Sequence, residues 1–291
     1  MQIQTKINGQ TALFGIFGHP VKHSFSPILQ NTLAALLGEN AVYVPFPVPP
    51  EGLEAAVKGA FALGVQGLNI TIPHKQAILP FLAGIDPLAE RIGAVNTLCR
   101  RENGFWGYNT DVLGLKKCFS LHHRSLKGER VLLIGAGGAA NATAFLAAEE
   151  GADALWIANR TLAKAQALSQ RVRQWYPLPV HPISLQDIPH LEGPLLVIQT
   201  TSVGMERDES PVLDPSFWQK VPFVVDIIYT PWQTRTLREA RAQGAEGVNG
   251  FEMLIYQGIA SAELWRNIQL SPHEAQALYN ALALYYREGQ A

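Results

Sequence analysis

The chain has 291 residues, 47% of them hydrophobic and 16% charged, with a formal net charge of -1. At roughly 100–200 residues per domain, that length corresponds to about two domains, with apolar material for two cores. The near-neutral balance argues against a nucleic-acid surface, which shows a basic patch, and no run of like charge forms a tail.

Only Cys99 and Cys118 occur, with no C-x-x-C pair. That is no disulfide scaffold, and two free thiols in a reducing cytoplasm are expected. Residues 1–10 lack the apolar stretch of a secretory leader. No apolar run reaches the ~18 residues of a membrane span. The sequence therefore reads as cytoplasmic, with no membrane and no nucleic-acid partner.

Short apolar runs alternate with helix-like stretches, the pattern of βαβ units around a mostly parallel sheet. Residues 11–17 read as a strand. Residues 26–37 read as a helix with Pro27 early in it, where a missing N–H costs nothing. A strand over 41–46 and a helix over 52–63 follow. Residues 67–72 read as a strand halted by Pro73. Residues 95–101 and 104–107 read as short antiparallel pieces around Asn103-Gly104, a turn dipeptide. A second set then begins: strand 130–134, helix 139–150 ended by Gly151, strand 154–158 and helix 162–176. Strands 195–199 and 223–227 come next, then a helix over 234–243 with Gly244 at its end. Residues 252–265 and 271–287 read as two more helices. The border between the sets is expected near residues 111–125, inside a helix such as 112–121.

Gly135-x-Gly137-x-x-Ala140 fits G-x-G-x-x-[GA], follows an apolar strand and opens a helix. Gly135 permits a tight turn, Gly137 lets the backbone approach a pyrophosphate, and Ala140 keeps helix and strand close. The helix start supplies free N–H groups and partial positive charge. A plain glycine-rich turn is the alternative. At the end of the next strand, NAD-binding units carry Asp or Glu for the ribose 2′-hydroxyl. Here the segment is Asn159-Arg160-Thr161. No carboxylate repels a 2′-phosphate, Arg160 can pair with one, and Lys164 adds charge one turn on, so NADP is expected over NAD.

Lys75 follows Asn69-x-Thr71-x-Pro73, at the carboxyl end of a strand, where α/β sheets place ligands. Asn69 and Thr71 alternate with Leu68 and Ile70 and so share one face. A polar face inside an apolar strand is costly unless something satisfies it. Asp111 reads either as a helix N-cap or as a charge partner for Lys75. Ser24 and Ser26 flank Phe25 at a helix start, which suits a carboxylate, although capping alone also explains a serine there. His19, His23, His74 and His122-His123 have no companion ligands at recognised spacing, so no metal is expected.

Taken together, these segments resemble the shikimate dehydrogenase family. The matches are Gly18-His-Pro20, His23-Ser-Phe-Ser-Pro27, Gly67-Leu-Asn-Ile-Thr-Ile-Pro-His-Lys75, Gly93-Ala-Val-Asn-Thr97 and Gly107-Tyr-Asn-Thr-Asp111, then residues 135–140, Asn159-Arg-Thr161, Asp226-Ile-Ile-Tyr229 with Pro231, and Gly250-Phe-Glu-Met-Leu-Ile-Tyr-Gln257. They span nearly the whole chain in order. The resemblance implies NADPH-dependent reduction of 3-dehydroshikimate to shikimate, in aromatic amino-acid biosynthesis. It implies that Lys75 and Asp111 are the catalytic pair and that Ser24 and Ser26 hold the substrate carboxylate. Asn69, Thr71, Asn96, Asp111, Tyr229 and Gln257 would complete the substrate set. NADP(H) would be held by Gly135, Ala136, Gly137, Gly138, Ala139 and Ala140, by Asn159, Arg160, Thr161 and Lys164, and by Thr200, Thr201, Ser202, Ile227, Gly250 and Met253. The tail after about Gly250 is implied to fold back on the N-terminal domain. The expected architecture is two-domain α/β: a mixed α/β substrate-binding and catalytic domain (1–111 and 251–291) and a Rossmann-like, doubly wound NADP-binding domain (112–250). A homodimer is left open.

Phe25 stands where the family often has Leu, Gln30 where His is common, and Gln199 where Asn is usual. Thr71 and Asn159-Arg160 favour shikimate over quinate as substrate. A quinate or aminoshikimate dehydrogenase is the rival within enzymes. A non-catalytic NADP(H) sensor is the rival outside them, and it would need neither Lys75 nor Asp111.

Overall fold

A computed structural model describes residues 7–193 and 195–289; residues 1–6 of the segment read for a leader lie outside them. Contacts divide the chain into two units, Met1–Gly114 with Leu254–Ala291, and Leu115–Met253. The class is α/β, and each unit is built on its own six-stranded sheet.

The first unit runs β1 (Ala12–Gly18), α1 (Ser26–Leu36), β2 (Ala41–Pro47), α2 (Leu53–Ala62), β3 (Gly67–Ile70), α3 (His74–Ala77), β4 (Gly84–Ile85), α4 (Pro87–Ile92), β5 (Thr97–Arg101) and β6 (Gly104–Tyr108). The strand order is β2-β1-β3-β5-β6-β4. β2, β1 and β3 are parallel, and β5 runs antiparallel to both its neighbours. The middle strands are apolar on both faces because both are covered. On one side Phe17, Leu68 and Ile70 pack with Leu53 and Val57 of α2. On the other, Phe14 and Ile16 pack with Ala34 of α1 and with Tyr43.

The chain continues through α5 (Asp111–Leu121) into β7 (Arg130–Ile134), α6 (Gly138–Glu149), β8 (Ala154–Ala158), α7 (Leu162–Trp175), β9 (Val180–Ile183), β10 (Leu196–Gln199), β11 (Phe223–Asp226), α8 (Arg235–Ala242) and β12 (Glu246–Asn249). This second sheet is parallel throughout, in the order β12-β11-β10-β7-β8-β9. Counted within the unit, that is the doubly wound dinucleotide order, which reverses direction between β7 and β10. Leu132, Ile134, Val197 and Val224 fill its core with Trp218 and Leu237.

The last helices are α9 (Phe251–Arg266) and α10 (Pro272–Glu288). From Leu254 onward they belong to the first unit. Gln30 Nε2 donates to Gly258 O over 2.7 Å, and Trp265 Nε1 donates to Leu98 O over 2.9 Å. The Trp265 ring lies over Gly67, where a β-carbon would come within 2.3 Å of it.

Several elements differ from the sequence reading. The strand expected over 67–72 stops at Ile70. Thr71 N–H still pairs with Phe17 O, but His74 N–H turns back to Thr71 O and the chain closes into α3. Thr71 therefore lies beyond the strand it was to share with Asn69, and Lys75 lies on a one-turn helix rather than at a strand end. The hairpin turn is Glu102-Asn103, with Gly104 opening β6 at φ +139. α4 was not foreseen, although its signals are present. Asp86 Oδ2 accepts from Leu88 and Ala89 N–H, Pro87 takes the first position, and Gly93 ends the helix at φ +65. β4, β9 and β12 were also missed; they are two to four residues long and carry little pattern.

Candidate active site

Lys75 owes its position to backbone anchors on both sides of it. The buried His74 ring donates Nε2–H to Val48 O over 2.7 Å; since a carbonyl only accepts, this fixes the proton on Nε2. Val95 N–H donates to Lys75 O over 2.8 Å. From this short helix Lys75 Nζ donates to Asp111 Oδ2 over 2.5 Å. The pair is largely withdrawn from water, with side-chain exposures of 15% and 6%. Asp111 opens α5, but its second oxygen accepts from Asn96 Nδ2 over 2.8 Å. Both its oxygens are thus engaged by side chains, and the choice left open in the sequence resolves to a charge partner for Lys75.

Around this pair lies a buried polar interior. Asn96 Nδ2 also donates to Thr110 Oγ1 and, at 3.3 Å, to Gln257 Oε1; its Oδ1 accepts Thr110 N–H over 2.7 Å. Asn69 Oδ1 accepts from the Tyr43 hydroxyl over 2.8 Å, and its Nδ2 donates to Ser261 Oγ and Asn96 O. Burial pushes the Tyr43 phenol well up, and a hydrogen bond with Ser26 offsets part of this. Ser26 is buried at the start of α1, and Ser24 Oγ accepts the Ser26 N–H at 3.3 Å. Thr71 is half-buried, its methyl directed at Gly18, where a β-carbon would lie 2.4 Å from it. The first unit thus brings together Lys75, Asp111, Asn96 and Gln257, and joins to Asn96 a second group of Asn69, Tyr43 and Ser26. Tyr43, Thr97, Thr110 and Ser261 were missed. For Ser261 the signal was available: it lies four residues beyond Gln257 on one helix, hence on the same face.

In the second unit the β7–α6 turn falls where the sheet order reverses. Gly135 has φ +121, and a β-carbon there would lie 2.4 Å from Thr200 Oγ1. Gly137 caps α6, and a β-carbon on it would meet nothing within 4 Å. No side chain caps this helix and its first turn carries no acid. An open backbone approach to uncapped N–H groups suits a pyrophosphate, so the residues present fit a dinucleotide. Ala136, Gly138 and Ala139 are half-buried beside it, and Ala140 is fully buried against the sheet. After β8, Asn159 Nδ2 donates to Thr161 O over 2.9 Å, which shapes the turn. Arg160 and Thr161 are exposed on it, and Lys164 is exposed in the first turn of α7.

The loops after β10 and β11 are tied to each other. Gln199 Oε1 accepts Thr201 N–H, and its Nε2 donates to Val203 O at 3.2 Å and Asp226 Oδ1 at 3.4 Å. Gln in place of Asn here organises the Thr200–Thr201–Ser202 turn. Asp226 also accepts the Thr234 hydroxyl over 2.6 Å and Ile228 N–H over 3.1 Å. Burial raises its carboxyl to about 6, with the Thr234 and Ile228 hydrogen bonds pulling the other way. Gly250 packs on the Ile227 backbone, where no β-carbon fits, and its N–H donates to Ile228 O. Met253 is buried, and Tyr229 is half-buried with its ring 6.4 Å from that of Phe251. Among the described residues no three His, Cys, Asp or Glu side chains form a metal-holding group, and no helix is long and apolar enough to cross a membrane.

A doubly wound sheet with an open glycine turn at its switch point, joined to a unit that buries a lysine–carboxylate pair in a polar interior, defines an α/β protein of the dinucleotide-binding class. Comparison with known proteins narrows this. Residues 16–98 match the family model described as the shikimate dehydrogenase substrate binding domain, and residues 117–203 that described as shikimate / quinate 5-dehydrogenase. The NADP(+)-dependent shikimate dehydrogenase of Caldanaerobacter subterraneus subsp. tengcongensis is 41% identical over 262 residues, 89% of this chain and 93% of that one. The shikimate dehydrogenase of Thermus thermophilus, crystallised with NADP(H) and shikimate, superposes with a TM-score of 0.81 at 33% identity, covering 93% of this chain and 99% of that one. The 5-ketofructose reductase of a Gluconobacter species also superposes, with a TM-score of 0.81 at 31% identity over 94% and 100% of the two chains. The chain belongs to the shikimate dehydrogenase family.

Proposed function

We propose that the protein catalyses the NADP(H)-dependent interconversion of 3-dehydroshikimate and shikimate, a step towards the aromatic amino acids. The observation that carries the chemistry is the withdrawn Lys75–Asp111 pair, 2.5 Å apart, on a chain of this family. The unit Met1–Gly114 with Leu254–Ala291 holds the substrate in this reading, and Leu115–Met253 the cofactor.

The bound cofactor supplies hydride to the ketone carbon, or accepts it from the alcohol carbon in reverse. Lys75 gives the proton that the developing alkoxide oxygen needs, and its charge stabilises that oxygen beforehand. Asp111 orients Lys75 and presents its carboxylate to a substrate hydroxyl. In the oxidative direction Lys75 accepts the proton. Ser24 and Ser26 receive the substrate carboxylate at the start of α1, with Asn69, Thr71, Asn96 and Gln257 at the ring hydroxyls. Gly135–Ala140 receive the pyrophosphate, and Arg160 with Lys164 the 2′-phosphate. Two unpaired, buried cysteines fit a reducing cytoplasm.

A second reading, a reductase of open-chain or cyclic keto sugars, is favoured by the Gluconobacter neighbour alone. One set of assays separates the readings. NADPH oxidation is followed with 3-dehydroshikimate and with 5-ketofructose, and NADP⁺ or NAD⁺ reduction with shikimate and quinate. Turnover of 3-dehydroshikimate far above the other substrates supports the first reading. Preference for the keto sugar, or turnover of none of them, removes it.

A further inference from the structure

We propose that Ser261 is a positioning residue of this site: its hydroxyl closes a buried triangle with Thr97 and Thr110 that fixes the side-chain amides of Asn69 and Asn96. The three hydroxyls come from α9, β5 and the segment ahead of α5. Their oxygens are 2.8 Å (Thr97–Ser261), 3.0 Å (Thr110–Ser261) and 3.0 Å (Thr97–Thr110) apart. All three residues are at most 1% exposed. At that burial bulk solvent does not reach the hydroxyls, and each finds hydrogen-bond partners within the protein.

The valences show what the triangle does. Each hydroxyl has one proton to give and two lone pairs. The outlets are Asn96 Oδ1, 3.0 Å from Thr97 and 3.2 Å from Thr110, and Gln257 O, 3.0 Å from Ser261. The inputs are the two amide nitrogens: Asn69 Nδ2 donates to Ser261 at 3.0 Å and to Thr97 at 3.3 Å, and Asn96 Nδ2 to Thr110 at 3.0 Å. Tyr43 O–H at Asn69 Oδ1 and Thr110 N–H at Asn96 Oδ1 complete the set. Turning over Asn69 would set its Oδ1 against Asn96 O, which now receives its N–H over 3.2 Å, and turning over Asn96 would set its Nδ2 against the Thr110 N–H. For Asn96 it would also set Oδ1 against the Asp111 carboxylate, which now receives its N–H over 2.8 Å. Ser261 thus acts on Asp111 and Lys75 at second hand, through Thr110 and Asn96, and touches neither.

The test uses the full-length protein in three forms: wild type, Ser261→Ala and Ala262→Gly. Ala262 is fully buried on the same helix and lies outside the triangle; glycine there weakens the helix without touching the network. Hydrogen exchange of the Asn69 and Asn96 side-chain amides, read by NMR without ligands, tests the positioning directly. Steady-state kinetics with shikimate and NADP⁺ then test its consequence, the only arm that rests on the function proposed above. In Ser261→Ala both amides should lose their protection. KM for shikimate should rise about five- to tenfold, the worth of one buried hydrogen bond, with KM for NADP⁺ unchanged. Ala262→Gly should lower Tm yet keep amide protection and shikimate KM. Unchanged protection in Ser261→Ala, an unchanged shikimate KM there, or the same losses in Ala262→Gly would each overturn the proposal. A wild type that does not turn over shikimate would refute the function instead, and the exchange data alone would then decide the role of Ser261.

Discussion

Asp111 holds Lys75 through one carboxylate oxygen, over 2.5 Å, while Asn96 occupies the other at 2.8 Å. Neither oxygen can leave without abandoning a charged or buried donor, so the lysine is presented from a fixed direction. In the proposed mechanism Lys75 is the proton donor, and a donor held this way acts mainly in the transition state. Lys75→Ala should therefore lower kcat by about 10²- to 10⁴-fold and change KM for shikimate far less. A near-normal kcat in this variant would take Lys75 out of the mechanism.

Asp111→Asn keeps the size and one acceptor but leaves Lys75 withdrawn from water without its counter-charge. Both kcat and Tm should fall. Loss of Tm with kcat intact would reduce Asp111 to a structural residue at the start of α5.

Gly135 and Gly137 stand two residues apart and should fail in opposite ways. Gly135 has φ +121 and Thr200 Oγ1 in the path of a β-carbon, so Gly135→Ala combines backbone strain of roughly 1–3 kcal/mol with a clash. Its Tm should drop even without cofactor. Gly137 has φ -91 and open space, so Gly137→Ala should keep Tm and raise KM for NADP⁺ about tenfold by blocking the approach of a phosphate. The same loss of Tm in both variants would mean the turn is merely structural.

The contrast also shows which part of the molecule was legible in the sequence. The Gly135–Ala140 turn could be read because each glycine answers to a local constraint, a strand on one side and a helix on the other. The partnership of Lys75 with Asp111 was open until folding brought two side chains 36 positions apart in sequence to within 2.5 Å. Lys75 itself was misplaced by an element. Pro73 announced a stop, but nothing local announced that His74 would anchor a one-turn helix on Val48, a contact made across 26 residues. The hydroxyl triangle was illegible for the same reason: Thr97, Thr110 and Ser261 carry no shared period and meet only in the folded unit. Asp86-Pro87 with Gly93, by contrast, was a readable helix that went unread.

Asp226 sets a pH dependence whose sign can be worked out. Burial raises its carboxyl in the folded protein to about 6, above the ordinary value of 3.8. Between those values the folded state holds a proton that the unfolded state has released. Stability from this group is therefore fully present below about 3.8 and is lost as pH rises through about 6. Asp226→Asn cannot titrate, so its Tm should lack this decline, and the difference in Tm between wild type and variant should change across that window. Parallel Tm curves from pH 4 to 7 would show that the Asp226 proton is not linked to folding.

The last prediction concerns cofactor choice. Arg160 is exposed on the β8–α7 turn, and Asn159, one residue before it, braces the turn through Thr161 O over 2.9 Å. No carboxylate occupies the strand end, so a 2′-phosphate received there, as proposed, would meet only amide and guanidinium. A guanidinium–phosphate contact is charge-assisted and can be bidentate, roughly 1.5–3 kcal/mol for a hydrogen bond to a charged group. Arg160→Ala should then weaken NADP⁺ about tenfold to a hundredfold, at ~1.4 kcal/mol per decade. NAD⁺ lacks that phosphate, so its KM should barely move. Lys164, exposed one turn along α7, can take over part of the charge and pull the loss towards the low end. Both cofactors are to be measured at one ionic strength, because salt screens an exposed contact. Raising the salt should narrow the gap between wild type and variant for NADP⁺ alone. Equal weakening of NADP⁺ and NAD⁺ would place Arg160 at the adenine or in the support of the turn, and would remove the discrimination for the 2′-phosphate from this residue.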